Sequence, residues 1–549
     1  MLRTADSAQA QLSRHYAYLT LLPAMDRRNE SANREFRELA GPAQRSLGTV
    51  DSVVRAIDST RLQLWLRTEK QLVPYSFYIG QARASTRRVP SAADAARINE
   101  WAQVAAAGPG RFQSTMRAVD LGTVVAPEGS LDVRTQGGEA RTHAVRSVRE
   151  AVYRRNNQGL ATRRDTFADI LTGVAAARNS MSRAQGFADY RDESYGARYL
   201  SVADVRRLLV SLRDASVEHR EYERFRVAQL QQRFGYSQVR WWDLAAPPPG
   251  RVAPRFTISE ATTIALASAK PIGPDYVTEL AALLDPRNGR IDVAPGPYRV
   301  ERPGFSTGLV GYPSHFFQGR YSGFVDDLVI LVHEAGHAAQ NMMMDRRGVL
   351  PRYAFGPGYF TESFAALSEM LTLEHLARSS ADTALRIYYM ERLLDQTNTV
   401  FRTGFEAMFE DSVYVLAGQG QKPGADELER LHHGIASQFS IWYGPNSDVE
   451  LGWVQPNPFY VWPLYHVNYV LANLLAFNYL QQLKTDSAGF QRRYQSLLSR
   501  GYDASPTVLL REEMGIDLTD APKLVTTAQS VLREWRRELE SLTRVQQEK

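Results

Sequence analysis

The chain has 549 residues, 44% of them hydrophobic, which allows a large buried core and two or more domains. Its 65 basic and 60 acidic residues include no polybasic block, which argues against nucleic acid or a membrane surface as a partner. No apolar run reaches the roughly 18 residues of a membrane span, and the absence of cysteine excludes disulfides and thiol catalysis.

The hydrophobic pattern predicts a mainly helical chain. Apolar residues recur at three- and four-residue spacing over residues 205–234, 385–409 and 522–542, which is the periodicity of amphipathic helices. Strand signals are few, and the clearest, at residues 290–293 and 305–310, predict a small sheet. Breaks are predicted at the glycine and proline clusters Gly108-Pro109-Gly110, Gly137-Gly138 and Pro247-Pro248-Pro249-Gly250.

The most informative motif is His333-Glu334-Ala335-Gly336-His337, in a stretch without proline or a turn signal. One helix can therefore carry both histidines, at positions i and i+4, on one face, where two imidazoles can share a tetrahedral zinc ion. Glu334 stands beside them and is placed to take a proton from a zinc-bound water. With only 10 histidines in the chain, chance would produce this pattern in roughly one chain in a hundred. A structural zinc site is disfavoured because such sites are usually closed by four Cys or His ligands, and the chain has no cysteine.

A third protein ligand is expected at Glu362, which gives the spacing HExxH-x24-E. A helix is predicted after the breaker Gly356-Pro357-Gly358, with Thr361 as a possible N-cap. A glutamate on a helix is more often a solvated surface residue. Here the apolar residues that follow indicate a buried helix, where an unpaired carboxylate would be unfavourable. Glu369, two turns further on, is predicted to hydrogen-bond a ligand imidazole.

The spacing from His337 to Glu362 and the segment Phe360–Glu369 resemble the second zinc helix of the thimet oligopeptidase and oligoendopeptidase F metallopeptidases, which are gluzincins. The likeness extends by motif from about residue 170 to residue 510. In combination the motifs are specific, although any one of them apart from HExxH would be weak. The further segments that carry it are residues 177–179, 186–190, 205–209, 242–244, 289–293, 304–308 and 401–410.

This resemblance implies a mainly α fold, with a helical N-terminal part over a larger helical catalytic domain and a small β-sheet beside the HExxH helix. We place the N-terminal domain at residues 1–195 and the catalytic domain at residues 196–549. A deep substrate channel between them would admit unfolded peptides and exclude folded proteins. The resemblance also implies one zinc ion per chain, held by His333, His337 and Glu362. Short peptides are the expected partners, and the chain is expected to be a monomer or a homodimer.

The segment 453–469 is rich in aromatic residues and is the candidate source of an oxyanion donor. Hydrolysis of a peptide bond builds negative charge on the former carbonyl oxygen, and a phenol aimed at that oxygen stabilises the tetrahedral state. Residues 463–469 resemble the tyrosine part of the corresponding oligoendopeptidase F segment. Tyr469 is the first candidate and Tyr465 the second, while packing in the core is the alternative for either ring.

The same segment also departs from the family pattern. Where the family carries a histidine, this sequence has Pro458 or Phe459, and His466 is a candidate to take over that role. If none of these aromatic residues contacts the oxyanion, His315 is the next candidate donor.

The expected function is therefore that of a zinc-dependent endopeptidase acting on short unfolded oligopeptides, with Glu334 as general base. One alternative is an angiotensin-converting-enzyme-like dipeptidyl carboxypeptidase, although the ligand spacing in that family is one residue shorter. Another is a peptide-binding protein that has kept zinc but lost turnover, which the intact Glu334 argues against. Because the N-terminus lacks the apolar core of a signal peptide, the expected location is the cytoplasm, although a mature exported form would look the same.

Overall fold

The computed structural model describes residues 1–84, 91–247, 254–300, 304–308, 314–444 and 447–548. These residues form mostly α-helices, which confirms the predicted fold class. The N-terminal helices are α1 (Leu2–Met25), α2 (Glu30–Ala56), α3 (Ser59–Thr68), α4 (Ser76–Ala84), α5 (Ala92–Ala118), α6 (Gly137–Arg141), α7 (Arg146–Ala161), α8 (Arg164–Ala184) and α9 (Tyr190–Gly196).

The remaining helices run to the C-terminus. The central ones are α10 (Val202–Ala215), α11 (Val217–Phe234), α12 (Ile258–Ala269), α13 (Pro274–Leu284), α14 (Val325–Arg346), α15 (Gly358–Ser379), α16 (Thr383–Gly418) and α17 (Ala425–Ala436). The last ones are α18 (Pro458–Val461), α19 (His466–Thr485), α20 (Ser487–Arg500), α21 (Pro506–Met514) and α22 (Ala521–Gln547). Short 3₁₀ helices cover Lys70–Tyr75, Trp241–Ala245, Lys270–Ile272, Pro286–Asn288, Pro351–Tyr353 and Ile441–Tyr443.

Two small sheets accompany the helices, built from β1 (Thr123–Ala126), β2 (Gly129–Asp132), β3 (Ile291–Asp292), β4 (Phe305–Thr307) and β5 (His315–Phe317). β1 and β2 form an antiparallel hairpin. In the second sheet, β5 pairs in parallel with β3 and antiparallel with β4, with Ser306 opposite Phe316. β4 is therefore an edge strand in the described part of the chain. A side chain at Gly304 would lie 2.9 Å from Ile330 of α14, so the sheet packs closely against this helix, as predicted.

The main hydrophobic core joins α8, α14, α15, α16, α19 and α22. It contains Phe167 and Tyr195 together with side chains from the C-terminal half, such as Leu474 and Trp535. Smaller clusters lie among α2, α3 and α4 and around the β1–β2 hairpin. The main core thus crosses residue 195, and the predicted domain boundary there stays a prediction.

Two local predictions were wrong. The expected helix over residues 205–234 is interrupted at Ser216, whose buried hydroxyl oxygen lies 2.6 Å from the carbonyl oxygen of Arg213 and 3.0 Å from that of Gln438. The expected break at Gly108-Pro109-Gly110 lies inside α5, where Gly108 packs against Val174 of α8 and leaves no room for a side chain. Most of the predicted break at Pro247–Gly250 falls on residues 248–253, which lie outside the described residues.

A buried ion pair ties α7 to the 3₁₀ helix Trp241–Ala245. Asp243 lies 2.6 Å from Arg146 and 3.3 Å from Arg149, and the side chains of Asp243 and Arg149 are 0% and 1% exposed. We expect Asp243→Ala to lower the free energy of unfolding by about 3–5 kcal/mol, because it leaves Arg149 buried without its carboxylate. Urea denaturation measures this change. Glu150→Ala, which removes the exposed partner of Arg154, should change stability by at most about 1 kcal/mol. Equal effects of the two variants would contradict the assignment.

Candidate active site

The motif histidines lie on one face of α14, as their spacing predicts. The centroids of the His333 and His337 rings are 4.9 Å apart. Nε2 of His333 lies 3.3 Å and Nε2 of His337 lies 3.8 Å from the same carboxylate oxygen of Glu362 on α15. The structure therefore brings together the three predicted ligands, with one donor atom from each within 4.8 Å of the others. These three residues are called the ligand group below.

Small residues allow α14 and α15 to approach closely. A side chain at Gly336, inside the motif, would lie 3.3 Å from the Ser368 hydroxyl and 3.6 Å from the Ala365 Cα. α15 begins at Gly358 and not after Thr361, so the predicted N-cap is wrong. Thr361 instead lies within the helix, with its hydroxyl 3.0 Å from that of Tyr502.

The orientation of His333 is set by a hydrogen-bonded chain behind it. Its Nδ1 lies 2.6 Å from Glu369, and Gln396 on α16 donates to the other carboxylate oxygen of Glu369 at 2.7 Å. Such partners fix the ring and make its free nitrogen a better ligand. The contact of Glu369 was predicted, whereas Gln396 was missed because nothing in its local sequence distinguishes it from other polar positions on α16.

The three groups fit a zinc ion. Zinc–nitrogen and zinc–oxygen distances of about 2.0–2.1 Å in a tetrahedron place neighbouring ligand atoms about 3.3 Å apart. The two Nε2–oxygen separations at Glu362, 3.3 and 3.8 Å, lie close to this value. Two imidazoles and one carboxylate are also a donor set that zinc accepts, and they leave a fourth position open.

The charges of the site favour a cation at the same point. Burial opposes ionisation of Glu362, but hydrogen bonds to His333 and His337 outweigh it and lower the pKa of this carboxyl. Burial likewise opposes protonation of His333, yet Glu362 and Glu369 raise the pKa of the ring well above its ordinary value. The carboxylates thus draw positive charge towards the ligand group.

Glu334 lies beside the ligand histidines, between them and the edge strand. Its carboxylate accepts a hydrogen bond from the backbone N–H of Ser306 on β4 at 2.9 Å. Burial raises the pKa of Glu334, which moves it towards the range in which a carboxylate can accept and return protons near neutral pH. The predicted general base is therefore in contact with the strand that precedes the motif helix.

Tyr465 and Tyr469 are half-buried neighbours at the start of α19, with ring centroids 5.3 Å apart. Burial and the charge of Glu362 raise the pKa of Tyr465 to about 12, and the same two causes raise the pKa of Tyr469. Both phenols therefore keep their protons at neutral pH. A side chain at Gly358 would lie 2.9 Å from the Tyr465 hydroxyl, so this glycine makes room for the phenol at the start of α15, the helix that carries Glu362.

His466 is placed differently from the two tyrosines. It is buried, with Nε2 3.3 Å from Glu406 and Nδ1 3.4 Å from Glu410, so neither ring nitrogen is directed to the ligand group. Burial lowers the pKa of His466, but the two carboxylates outweigh it and raise it to about 9. Glu410 also accepts the N–H of Leu464 at 2.6 Å, so this cluster anchors the segment that carries the tyrosines.

Two further positions from the sequence analysis are Phe459 and His315. Phe459, which with Pro458 is one of the two positions compared with the family histidine, is buried with its ring centroid 4.9 Å from that of His466. His315 lies on the middle strand β5 opposite Thr307, and its backbone N–H donates to the Thr307 hydroxyl at 3.2 Å. No observation assigns either residue a catalytic role.

A cavity of about 880 Å³ lies between α1 and the edge strand β4. Ser306, which contacts Glu334, is part of its wall, as are Gly308 and Phe355. The cavity thus reaches the strand whose Ser306 contacts Glu334. A buried ion pair between Asp6 and Arg352, at 2.6 Å, holds α1 against the 3₁₀ helix that precedes α15.

No helix in the described ranges has both the length and the apolar character needed to cross a bilayer.

Solved structures with the same fold cover nearly the whole chain. A Chlamydophila abortus protein provisionally assigned as a peptidase superposes with a TM-score of 0.81 at 19% identity, covering 98% of this chain and 90% of that one. Oligoendopeptidase-F from Enterococcus faecium gives a TM-score of 0.69 at 18% identity, covering 99% of this chain and 92% of that one.

Sequence comparison points to the same group of proteins. The chromosomal oligoendopeptidase F of Lactococcus lactis subsp. cremoris is 23% identical over 274 residues, which is 48% of this chain and 44% of the relative. The chain thus matches less than half the length of the curated relatives. The model of peptidase family M3 matches residues 141–528, which is well over half of the chain. The chain therefore belongs to peptidase family M3.

Proposed function

We propose that this chain is a zinc-dependent endopeptidase that hydrolyses short, unfolded oligopeptides. The observation that carries the proposal is the convergence of His333, His337 and Glu362 on one point, with Glu334 between them and an edge strand. The activities named for the oligoendopeptidase F relatives are consistent with it. One zinc ion held by the three ligands would supply Lewis acidity, which polarises a peptide carbonyl and acidifies water.

The residues of the chain account for the proton transfers of the reaction. Glu334 accepts a proton from the attacking water as the oxygen bonds to the carbonyl carbon, and then delivers it to the leaving amine nitrogen as the C–N bond breaks. Its raised pKa suits both steps. The hydrogen bond from Ser306 holds the carboxylate in place during the transfer.

The substrate is expected to bind as an extended strand. β4 is an edge strand in the described part of the chain, and its residues line the cavity opposite α1. An extended peptide can add to such an edge through backbone hydrogen bonds, whereas a folded protein cannot enter a space covered by a helix. This geometry supports unfolded oligopeptides as the substrate class.

Two peptides test the proposal: one with a free C-terminus, and the same peptide blocked at both ends and carrying a fluorophore and a quencher. We expect the zinc-loaded protein to cleave the blocked peptide internally, with products identified by mass spectrometry, and to leave a folded protein intact. A dipeptidyl carboxypeptidase needs a free C-terminus and would cleave only the unblocked peptide. A binding protein without turnover would retain both peptides uncut. Either of these results would replace the proposal.

Tyr469 is the proposed donor to the oxyanion, with Tyr465 as the alternative. Tyr469→Phe keeps the ring and removes only the hydroxyl, so we expect kcat to fall by about 10²–10³ with little change in KM. Tyr465→Phe serves as the matched variant and shows which phenol carries the role. His466→Ala is expected instead to lower stability, because it leaves Glu406 and Glu410 without their partner.

Stopped-flow or steady-state kinetics on the quenched peptide separate kcat from KM in these variants. If both phenylalanine variants and His466→Ala cleave at the wild-type rate, the aromatic segment has only a packing role. His315 then becomes the next candidate donor.

A further inference from the structure

A second cavity, of about 250 Å³, lies between α11, α16 and the 3₁₀ helices Trp241–Ala245 and Ile441–Tyr443. It shares no lining residue with the ligand group or with the cavity beside β4. None of its residues takes part in the proposed hydrolysis.

Aromatic rings form one wall of this cavity. The rings of Trp241 and Trp442 meet edge to face, with centroids 5.8 Å apart, and Tyr443 lies 6.5 Å from Trp241. Both tryptophans are half-buried, so each keeps part of its ring surface accessible. Such a wall favours a planar, apolar group, which can stack on the rings or meet them edge to face.

The first carboxylate of the cavity, Glu223, is hydrogen-bonded by neighbouring groups of the protein. Glu223 accepts hydrogen bonds from the Ser440 hydroxyl at 2.6 Å and from the Ile441 N–H at 2.9 Å. Nε2 of His219 lies 3.2 Å from the same side chain. Glu223 is therefore held in place by the protein and is not directed towards a ligand.

The second carboxylate of the cavity, Asp395, also has a hydrogen-bond partner in the protein. Asp395 accepts from the Tyr222 hydroxyl at 2.6 Å. Next to it, Arg226 lies 2.8 Å and Arg233 lies 3.4 Å from Glu391. Two guanidinium groups thus stand against the two carboxylates of Asp395 and Glu391, and this part of the lining is close to neutral.

Arg402 differs from these paired charged groups. It lines the cavity from α16, is exposed, and makes no hydrogen bond or ion pair with any residue that the structure describes. Glu406, one turn further along α16, faces His466 at 3.3 Å. Burial raises the pKa of Glu406, but His466 and the charge of Arg402 outweigh it and lower this pKa, so the charge of Arg402 is partly balanced. Its N–H donors nevertheless have no acceptor among the described residues, and they lie at the mouth of an aromatic-walled cavity.

We propose that this cavity is a binding site for a small aromatic carboxylate. The guanidinium of Arg402 would take the carboxylate through paired N–H donors, and the ring would lie against Trp241 and Trp442. The volume suits a single ring with a short acidic arm. The site is independent of the proposed hydrolysis, because it uses neither the ligand group nor the edge strand.

Titration of the intact chain with hippurate tests this site, with binding followed by tryptophan fluorescence and by saturation-transfer NMR. We expect hippurate to bind and hippuramide, which lacks the charge, to bind at least about tenfold more weakly. Arg402→Gln should weaken hippurate binding by about 10- to 100-fold, and Arg402→Lys should weaken it less because the charge is kept.

The matched control is Arg386→Gln, which removes a guanidinium on the same helix that faces Glu538 at 3.8 Å and does not line the cavity. Its affinity for hippurate should equal that of the wild type. The proposal is overturned if the wild type does not bind hippurate, if hippuramide binds equally well, or if Arg402→Gln binds hippurate as the wild type does. The same titration of Arg402→Lys keeps the test decisive if the glutamine variant does not fold.

Discussion

Glu334→Gln is expected to keep the metal and lose several orders of magnitude in turnover. The loss of a general base alone lowers kcat by about 10²–10⁴, and the attacking water also loses the carboxylate that orients it. Because the amide oxygen of glutamine can still accept the Ser306 N–H, the contact between α14 and β4 should be preserved. The variant therefore separates chemistry from folding. Metal analysis and cleavage of the quenched peptide, performed on one preparation, measure both properties.

A matched control lies on a neighbouring helix. Glu279 of α13 is buried and pairs with Arg346 at the end of α14, away from the ligand group. Glu279→Gln should leave kcat near the wild-type value while changing stability. If Glu334→Gln retains near-normal activity, or if Glu279→Gln loses as much turnover, the assignment of Glu334 as general base is wrong.

Removal of a ligand is the second large effect. We expect wild-type protein to hold one zinc ion per chain, and His337→Ala or Glu362→Ala to lower zinc affinity by more than about 100-fold and to abolish cleavage. Each variant deletes one of three protein ligands that lie within 4.8 Å of one another. Inductively coupled plasma mass spectrometry after dialysis, together with competition against a chromophoric chelator, gives stoichiometry and affinity.

A graded series makes this test sharper. Glu369→Ala removes the partner of His333 but not a ligand, and should lower zinc affinity by about 10- to 100-fold. Gln396→Ala, one contact further from the site, should have a smaller effect. Stoichiometric zinc at unchanged affinity in Glu362→Ala or His337→Ala would show that the ligands are others.

The sequence by itself determined the helix that carries the two motif histidines. His333 and His337 share a face of α14 because four residues make about one turn, a relation that is local and independent of the rest of the fold. The position of Glu362 beside the two histidines could be predicted because a loop between two helices lets the second run back beside the first. The mainly helical architecture was likewise readable from the spacing of apolar residues, as in α16 and α22.

Only the tertiary structure decided which residues stand around these ligands. Gln396 meets Glu369, and the segment that carries Tyr465 and Tyr469 is anchored to α16, through contacts between residues far apart in the chain. His466 follows Tyr465 directly, yet its ring is buried between two carboxylates, because neighbouring helix positions face different directions. Local periodicity therefore predicts which residues can share a face, while the packing of helices determines what that face meets.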